Sequence, residues 1–134
     1  MNRLRCVVLL TAAVLVLGCR DRGVPLPTAP VSGKVLYDGK PLGFGRIALF
    51  HPSGHAKSAD IAPDGTFSLV AYQGKNAISV ECFDTDRPGS AKPRSFNMNE
   101  NKSLIPDRYM SYGTSGLTFE VKPTDNKAEF TLTN

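Results

Sequence analysis

Val31 to Phe50, VSGKVLYDGKPLGFGRIALF, decides the fold. Val31, Gly33, Val35 and Tyr37 share one face of an extended segment, with Ser32 and Lys34 on the other. Period two is the signature of a half-buried strand. Asp38-Gly39 supplies the positive φ that a tight hairpin turn needs. Pro41 keeps itself and Lys40 out of a central ladder, so the partner strand is expected to start near Phe44 or Gly45. Arg46 to His51 then places Ile47 and Leu49 against Ala48 and Phe50, apolar on both faces, as in a strand covered on both sides. The stretch reads as the first hairpin of a small β-sandwich.

Downstream the same alternation recurs between turn signals. Ala56 to Ile61 is a short strand candidate, ended by Ala62-Pro63-Asp64-Gly65, where Pro presets φ and Gly accepts the left-handed position. Thr66 to Val70 points Phe67 and Leu69 inward. Asn76 to Phe83 puts Ile78, Val80 and Cys82 on one face with Asn76. Leu117 to Lys122 turns Leu117, Phe119 and Val121 inward, and Lys127 to Thr133 does the same with Ala128, Phe130 and Leu132. Asp125-Asn126 offers the turn between these last two strands. Abundant Gly and Pro, 12 and 10 residues, agree with many short strands, and no stretch carries a helix-period stripe. The expectation is an all-β, antiparallel, Greek-key-type sandwich of about seven strands over residues 31–134.

Upstream lies a sorting signal. Arg3 and Arg5 precede the apolar run Val7 to Leu17, which is too short for the roughly 20 residues that span a bilayer and normal for a secretory signal. Val16-Leu17-Gly18-Cys19 resembles the bacterial lipobox. That resemblance implies cleavage after residue 18 and lipid chains on Cys19, enough acyl chain for stable anchoring. The protein is then exported and tied to a bacterial membrane, facing the periplasm or the cell exterior. Residues 19–30, rich in Pro25, Pro27 and Pro30, form an extended tether. Alternatively Val24 and Leu26 dock on the domain as an edge strand.

Charge and cysteine content exclude several functions. The formal charge is +4, and falls to +2 without Arg3 and Arg5, too little for a nucleic-acid-binding face. Cys6 leaves with the signal and Cys19 is lipidated, so Cys82 stands alone and no disulfide can form within the mature chain. A domain of about 100 residues is long enough to bury roughly two-thirds of its unfolded surface without one.

The assembled motifs carry a family resemblance. GKVLYDGKPLGFGRIALFHP, DGTFSL and IPDRYMSYGTSGLTFEV, in that order and spacing, resemble small bacterial lipoproteins with a carboxypeptidase regulatory-like or transthyretin-like (prealbumin-like) domain. The resemblance covers most of residues 31–134. It implies a seven- or eight-stranded sandwich and no assigned activity. Enzymes on related folds fit poorly: the C-terminal Tyr-Arg-Gly-Ser type tail of 5-hydroxyisourate hydrolases is replaced by Phe130-Thr131-Leu132-Thr133-Asn134. The His-x-His spacing of intradiol dioxygenases is missing, as is the zinc-binding catalytic domain of carboxypeptidases.

Candidate sites are few. His51 and His55 are the only histidines, and Pro52 and Gly54 between them exclude a shared helix face. Asp60 or Asp64 would be needed to reach the three protein ligands of a catalytic zinc. A polar loop at a strand end accounts for these residues equally well. Asp84-Thr85-Asp86 lacks the glycine and further donors of a calcium loop. Cys82 is in phase with Ile78 and Val80 and reads as a buried small hydrophobe rather than a nucleophile. No cofactor is called for. The segment from Asp84 to Gly116 is too long for a structureless loop, so it is functional or partly ordered. Arg87, Lys92, Arg94 and Arg108 give it positive charge, and Tyr109 and Tyr112 add aromatic surface. They form the candidate binding loop for an anionic envelope polymer or a protein partner, with Ile105 and Tyr109 packing its end onto the sandwich. The expected role is a non-catalytic structural or binding module; the alternative is a metal-dependent or hydrolytic enzyme using His51 and His55.

Overall fold

The computed structural model describes residues 23–134; the expected signal peptide, residues 1–18, and Cys19 lie outside the described residues. Within them the all-β sandwich expected from the alternation is what forms. Eight strands run β1 (Thr28–Tyr37), β2 (Lys40–Pro41), β3 (Arg46–Phe50), β4 (Ala56–Asp60), β5 (Thr66–Tyr72), β6 (Gly74–Glu81), β7 (Thr118–Val121) and β8 (Asn126–Leu132). One sheet has β1 at its centre, flanked by β5 and β2 on one side and β8 on the other; the second runs β4-β3-β6-β7.

The opening hairpin departs from expectation. Asp38 at φ 47° and Gly39 at φ 80° make the two-residue turn, as a primed turn demands. Yet only Leu36↔Pro41 and Tyr37↔Lys40 pair across it, so Lys40 and Pro41 do join a ladder, at an edge. The chain then leaves that sheet. Leu42 is buried, and Gly45, at φ 117°, turns the chain so that Arg46 to Phe50 enters the opposite sheet, between β4 and β6. The two halves of the stretch thus face one another across the core instead of forming one hairpin. Ile47 and Leu49 are fully buried there.

A second departure is the boundary of β1, which starts at Thr28 and not Val31. Ala29 is buried, so the last three residues assigned to the tether belong to the domain. Pro30 is tolerated because β8 pairs with β1 only from Val31 onward, leaving a ladder on one side of it. Val24 and Leu26, by contrast, are exposed and lie outside any strand. A third departure is direction. β1 and β8 pair in parallel over Val31↔Asn126 to Tyr37↔Leu132, while the other strand pairs are antiparallel.

The core lies between the sheets, with Val31, Val35, Ile47, Leu49, Phe67, Ile78, Val80, Val121, Phe130 and Leu132 all buried. Phe130 stacks with Phe67 and meets Phe119 edge-on, at centroid distances of 6.1 and 6.2 Å. Burying each large apolar side chain contributes about 1.5–3 kcal/mol, and Cys82 is a free thiol, so packing alone holds the described domain.

The strand directions define two ends. Thr28 pairs with Tyr72, Phe50 with Ala56, and Gly74 with Val121, so the His51–His55 loop and the β7–β8 turn share the end where the chain enters. Arg46 pairs with both Asp60 and Glu81 at the far end, beside the start of the long segment after β6. Ten strand residues at ~3.3 Å separate the ends by roughly 30 Å.

Candidate functional site

The segment from Asp84 to Gly116 is ordered by three 3₁₀ turns, Asp84–Asp86, Met98–Glu100 and Asp107–Met110. Its first arm is hydrogen-bonded at both sides. Asp84 N–H donates to Lys102 O at 3.0 Å and Leu104 N–H to Cys82 O at 2.9 Å, around a bridge between Phe83 and Ser103. Its second arm runs along the edge of β6 beyond β7, where Ile78 N–H donates to Leu117 O at 2.9 Å and Ser115 Oγ donates to Ile78 O.

Three of the six candidate binding residues are used to hold this segment down. Arg94 pairs with Glu81 at 3.0 Å, approaches Asp86 at 3.8 Å, and covers the buried Phe83 ring at 4.5 Å. Arg108 donates to Thr133 O and lies over the Tyr109 ring at 4.6 Å. Tyr109 is buried, as expected; its hydroxyl accepts from Thr133 N–H at 3.0 Å and donates to Thr133 O. Those backbone bonds hold its pKa below the usual tyrosine value. Ile105 is buried beside it.

The other three remain available. Arg87 meets Asp84 at 3.6 Å and lies over Phe44, yet stays mostly exposed. Lys92 is exposed and forms none of the ion pairs among the described residues, and Lys102 shares both properties. Arg87 and Lys102 adjoin Asp84 at the distal end, and Lys92 stands between Pro88 and Arg94, which line a depression there. Tyr112 sits elsewhere: its ring lies against Phe50, tilted, at a centroid distance of 4.5 Å on the sheet's outer face, and is 54% exposed.

Phe96 is a residue the sequence reading missed. It is fully exposed, at the tip of a turn closed by its own side chains. Ser95 N–H donates to Asn101 Oδ1, Asn101 Nδ2 returns to Ser95 O, and Ser95 Oγ donates to Glu100 Oε2 at 2.7 Å. The run Ser95-Phe96-Asn97-Met98-Asn99-Glu100-Asn101 carried the signal, since Ser and Asn bond neighbouring backbone and close such turns.

The alternative metal set does not assemble. His51 and His55 lie near each other at the entry end, with rings 6.0 and 5.5 Å from Tyr72, and His51 N–H donates to His55 O. Asp60 sits at the other end of β4, about 13 Å along the strand from Ala56, in an ion pair with Arg46 at 3.1 Å. Asp64 accepts from the Thr66 hydroxyl at 2.6 Å and from its N–H, which lowers its pKa. No group of three His, Cys, Asp or Glu among the described residues could hold a metal ion.

Cys82 is buried, as the phase of β6 requires. Burial, and then the Asp86 carboxylate, push its thiol up to about 11. At pH 8 almost none is thiolate, so we expect no alkylation by iodoacetamide in the native protein. Labelling should appear in urea with the midpoint of global unfolding; labelling without denaturant would contradict the burial.

Of the depressions on the described surface, two adjoin the candidate residues. One, about 300 Å³, opens at the distal end between Phe44, Arg46, Asp60, Asp86 and Arg94. Its charges are already matched by the ion pairs above. The second, about 340 Å³, lies on the outer face of the β3–β6 sheet between Phe50, His51, Lys75, Ala77, Tyr112 and Thr118. Here two aromatic rings meet a lysine and an imidazole, with no carboxylate in the lining.

Neither a family model nor a curated protein matches this chain. Solved structures similar to it include two DUF3823 family proteins. One is a DUF3823 family protein from Parabacteroides merdae, 17% identical over 80% of this chain and 46% of that one, with a TM-score of 0.47. The other is a DUF3823 family protein from Bacteroides ovatus, 19% identical over 79% of this chain and 44% of that one, with a TM-score of 0.46. The chain spans less than half the length of either.

Proposed function

We propose that this chain is an exported lipoprotein, held on a bacterial membrane through lipid on Cys19, whose sandwich is a non-catalytic binding module for an acidic component of the cell envelope. The observation that carries the reading is polarity of the domain. The chain enters β1 at one end, while Arg87, Lys92 and Lys102 are exposed around the other, roughly 30 Å away. A tether of about eight residues before Thr28 adds up to ~25 Å of reach. Cations at that distance from a membrane meet acidic partners through long-range attraction, which salt screens. The non-catalytic part is supported by the separation of Asp60 from the histidines and by the buried, neutral Cys82.

The test has two arms. Cys19→Ser should move the protein from the membrane fraction to the soluble fraction with its unfolding midpoint unchanged; retention on membranes would sink the anchoring. Neutralising Arg87, Lys92 and Lys102 together should reduce capture of acidic envelope material by more than tenfold at low salt, with little loss at high salt. Arg94 is left intact, because its removal would free the segment rather than test the charge. Equal capture by both forms would sink the distal-end reading.

A further inference from the structure

We propose that the cleft on the outer face of the β3–β6 sheet binds a saccharide ring carrying a carboxylate, a hexuronic acid unit of an acidic polysaccharide. This rests on the binding-module reading and adds to the distal cations a second contact with a defined ligand class.

Four features of the cleft point this way. Tyr112 lies against Phe50 with an interplanar angle of 32° and is still 54% exposed, so aromatic surface is offered to a ligand. The apolar C–H face of a pyranose suits such a surface, and burying it there removes apolar area from water. The pair is fixed from both sides. Phe50 belongs to a strand paired with β4 and β6, and Thr114 hydroxyl bonds to Arg108 O and Ser111 O hold the turn that carries Tyr112. A platform that is already rigid loses little freedom on binding.

The polar groups are placed for hydroxyls and one negative charge. Lys75 lines the cleft, is exposed, and is absent from the ion pairs of the described residues. His51 is oriented by Ser53, whose Oγ is 2.7 Å from Nδ1 and whose N–H also donates to that nitrogen. Its Nε2 lies on the side of Gly74. Thr118 adds a hydroxyl. Glu120 lies across from Lys75 in the β6–β7 ladder, but it forms none of the ion pairs of the described residues and does not line the cleft, so the lysine is the charged group the cleft presents and favours an anion over a neutral or cationic ligand. The volume of about 340 Å³ accommodates one or two sugar rings and is far too small for a folded partner.

Isothermal titration of the full-length chain with trigalacturonate, maltotriose and benzoate tests this. Trigalacturonate should bind, and Tyr112→Ala should weaken it about tenfold or more. Lys75→Gln should weaken it by a similar factor, through loss of a charge-assisted hydrogen bond. Lys75 is a surface side chain, so this second variant keeps the test decisive should Tyr112→Ala disturb the fold. Maltotriose should bind at least tenfold more weakly than trigalacturonate. Equal affinity for the two sugars, binding of benzoate without either sugar, or no heat with any probe would overturn the inference. Neutralising Arg87, Lys92 and Lys102 should leave trigalacturonate binding unchanged. Failure here with distal capture intact would remove this site alone, whereas loss of distal capture with sugar binding intact would remove only the distal-end reading.

Discussion

Gly33→Ala should destabilise the domain by about 3 kcal/mol or more, a large share of the 5–15 kcal/mol typical of small domains. The local rules argue the opposite sign. Gly33 sits inside β1, in phase with Val31 and Val35, and glycine in a strand interior costs roughly 0.5–1 kcal/mol relative to alanine. On propensity alone the substitution stabilises. The packing decides otherwise. Gly33 pairs with Phe67 on β5 and Ala128 on β8. A β-carbon there would overlap the Ala128 carbonyl oxygen and would sit 2.8 Å from Phe67 Cζ and 2.9 Å from the Ala128 carbonyl carbon. The Phe67 ring can turn aside, but the Ala128 backbone cannot move without opening the parallel ladder that β8 makes with β1. The check is a urea titration, in which the midpoint should fall with the slope unchanged. Gly23→Ala is the control: nothing lies within 4 Å of its added carbon, and its midpoint should not move. A neutral Gly33→Ala would mean that β8 does not approach β1 this closely.

This glycine also shows what the sequence could and could not convey. Alternation places it on the inner face of a strand, and the pattern with its turn signals identifies β1, β3, β4, β5, β6, β7 and β8 to within a few residues. It could not give the neighbours of those strands. A period of two is the same whether a strand pairs in parallel or antiparallel, so the β1–β8 pairing left no mark in the pattern. The Asp38-Gly39 signal was right about the turn and silent about how far the returning strand would pair. Two residues later Leu42 and Gly45 take the chain across the core, and that depends on tertiary packing. Assigning Pro30 to the tether rests on the exclusion of proline from ladders. The exclusion applies only where both sides are paired, and at Pro30 one side is not.

The candidate site was legible in composition more than in geometry. Its length marked the segment from Asp84 to Gly116 as more than loose loop, and three 3₁₀ turns order it. Which of those residues face a ligand depends on partners far away in sequence. Arg94 finds Glu81, and Arg108 and Tyr109 find Thr133, so three promising side chains are structural. Tyr112 finds Phe50, over sixty residues away, and only that meeting creates a cleft with Lys75. Phe96 carries no signal of its own in the sequence, because a lone aromatic in a polar run resembles any other and only the closed turn beneath it sets it apart.

Asn126→Ala should cost about 2–3 kcal/mol, and Asn126→Asp more, with a distinctive pH dependence. Asn126 is buried at the start of β8, where the chain crosses from one sheet to the other. Its Oδ1 accepts from Lys122 N–H at 2.8 Å, and its Nδ2 donates to Thr124 O at 2.6 Å, Lys122 O at 3.0 Å and Pro30 O at 3.1 Å. One N–H and three carbonyls fix which amide atom faces which partner. The side chain therefore closes the β7–β8 turn and ties it to the beginning of β1 at once. Alanine leaves these backbone groups to find water at a crowded end of the sandwich. Aspartate keeps the shape and the bond from Lys122 N–H, but turns a carboxylate oxygen toward three carbonyl oxygens. That environment disfavours the charged form and raises the carboxyl pKa in the folded state above its unfolded value. A raised folded pKa means that the group binds its proton more tightly when folded. The variant should then be most stable below the unfolded carboxyl pKa and lose stability as pH rises through the folded one. The difference between Asn126→Asp and the parent protein in urea midpoint should accordingly widen from pH 4 to pH 7. A difference independent of pH would show that this side chain is not enclosed by those carbonyls.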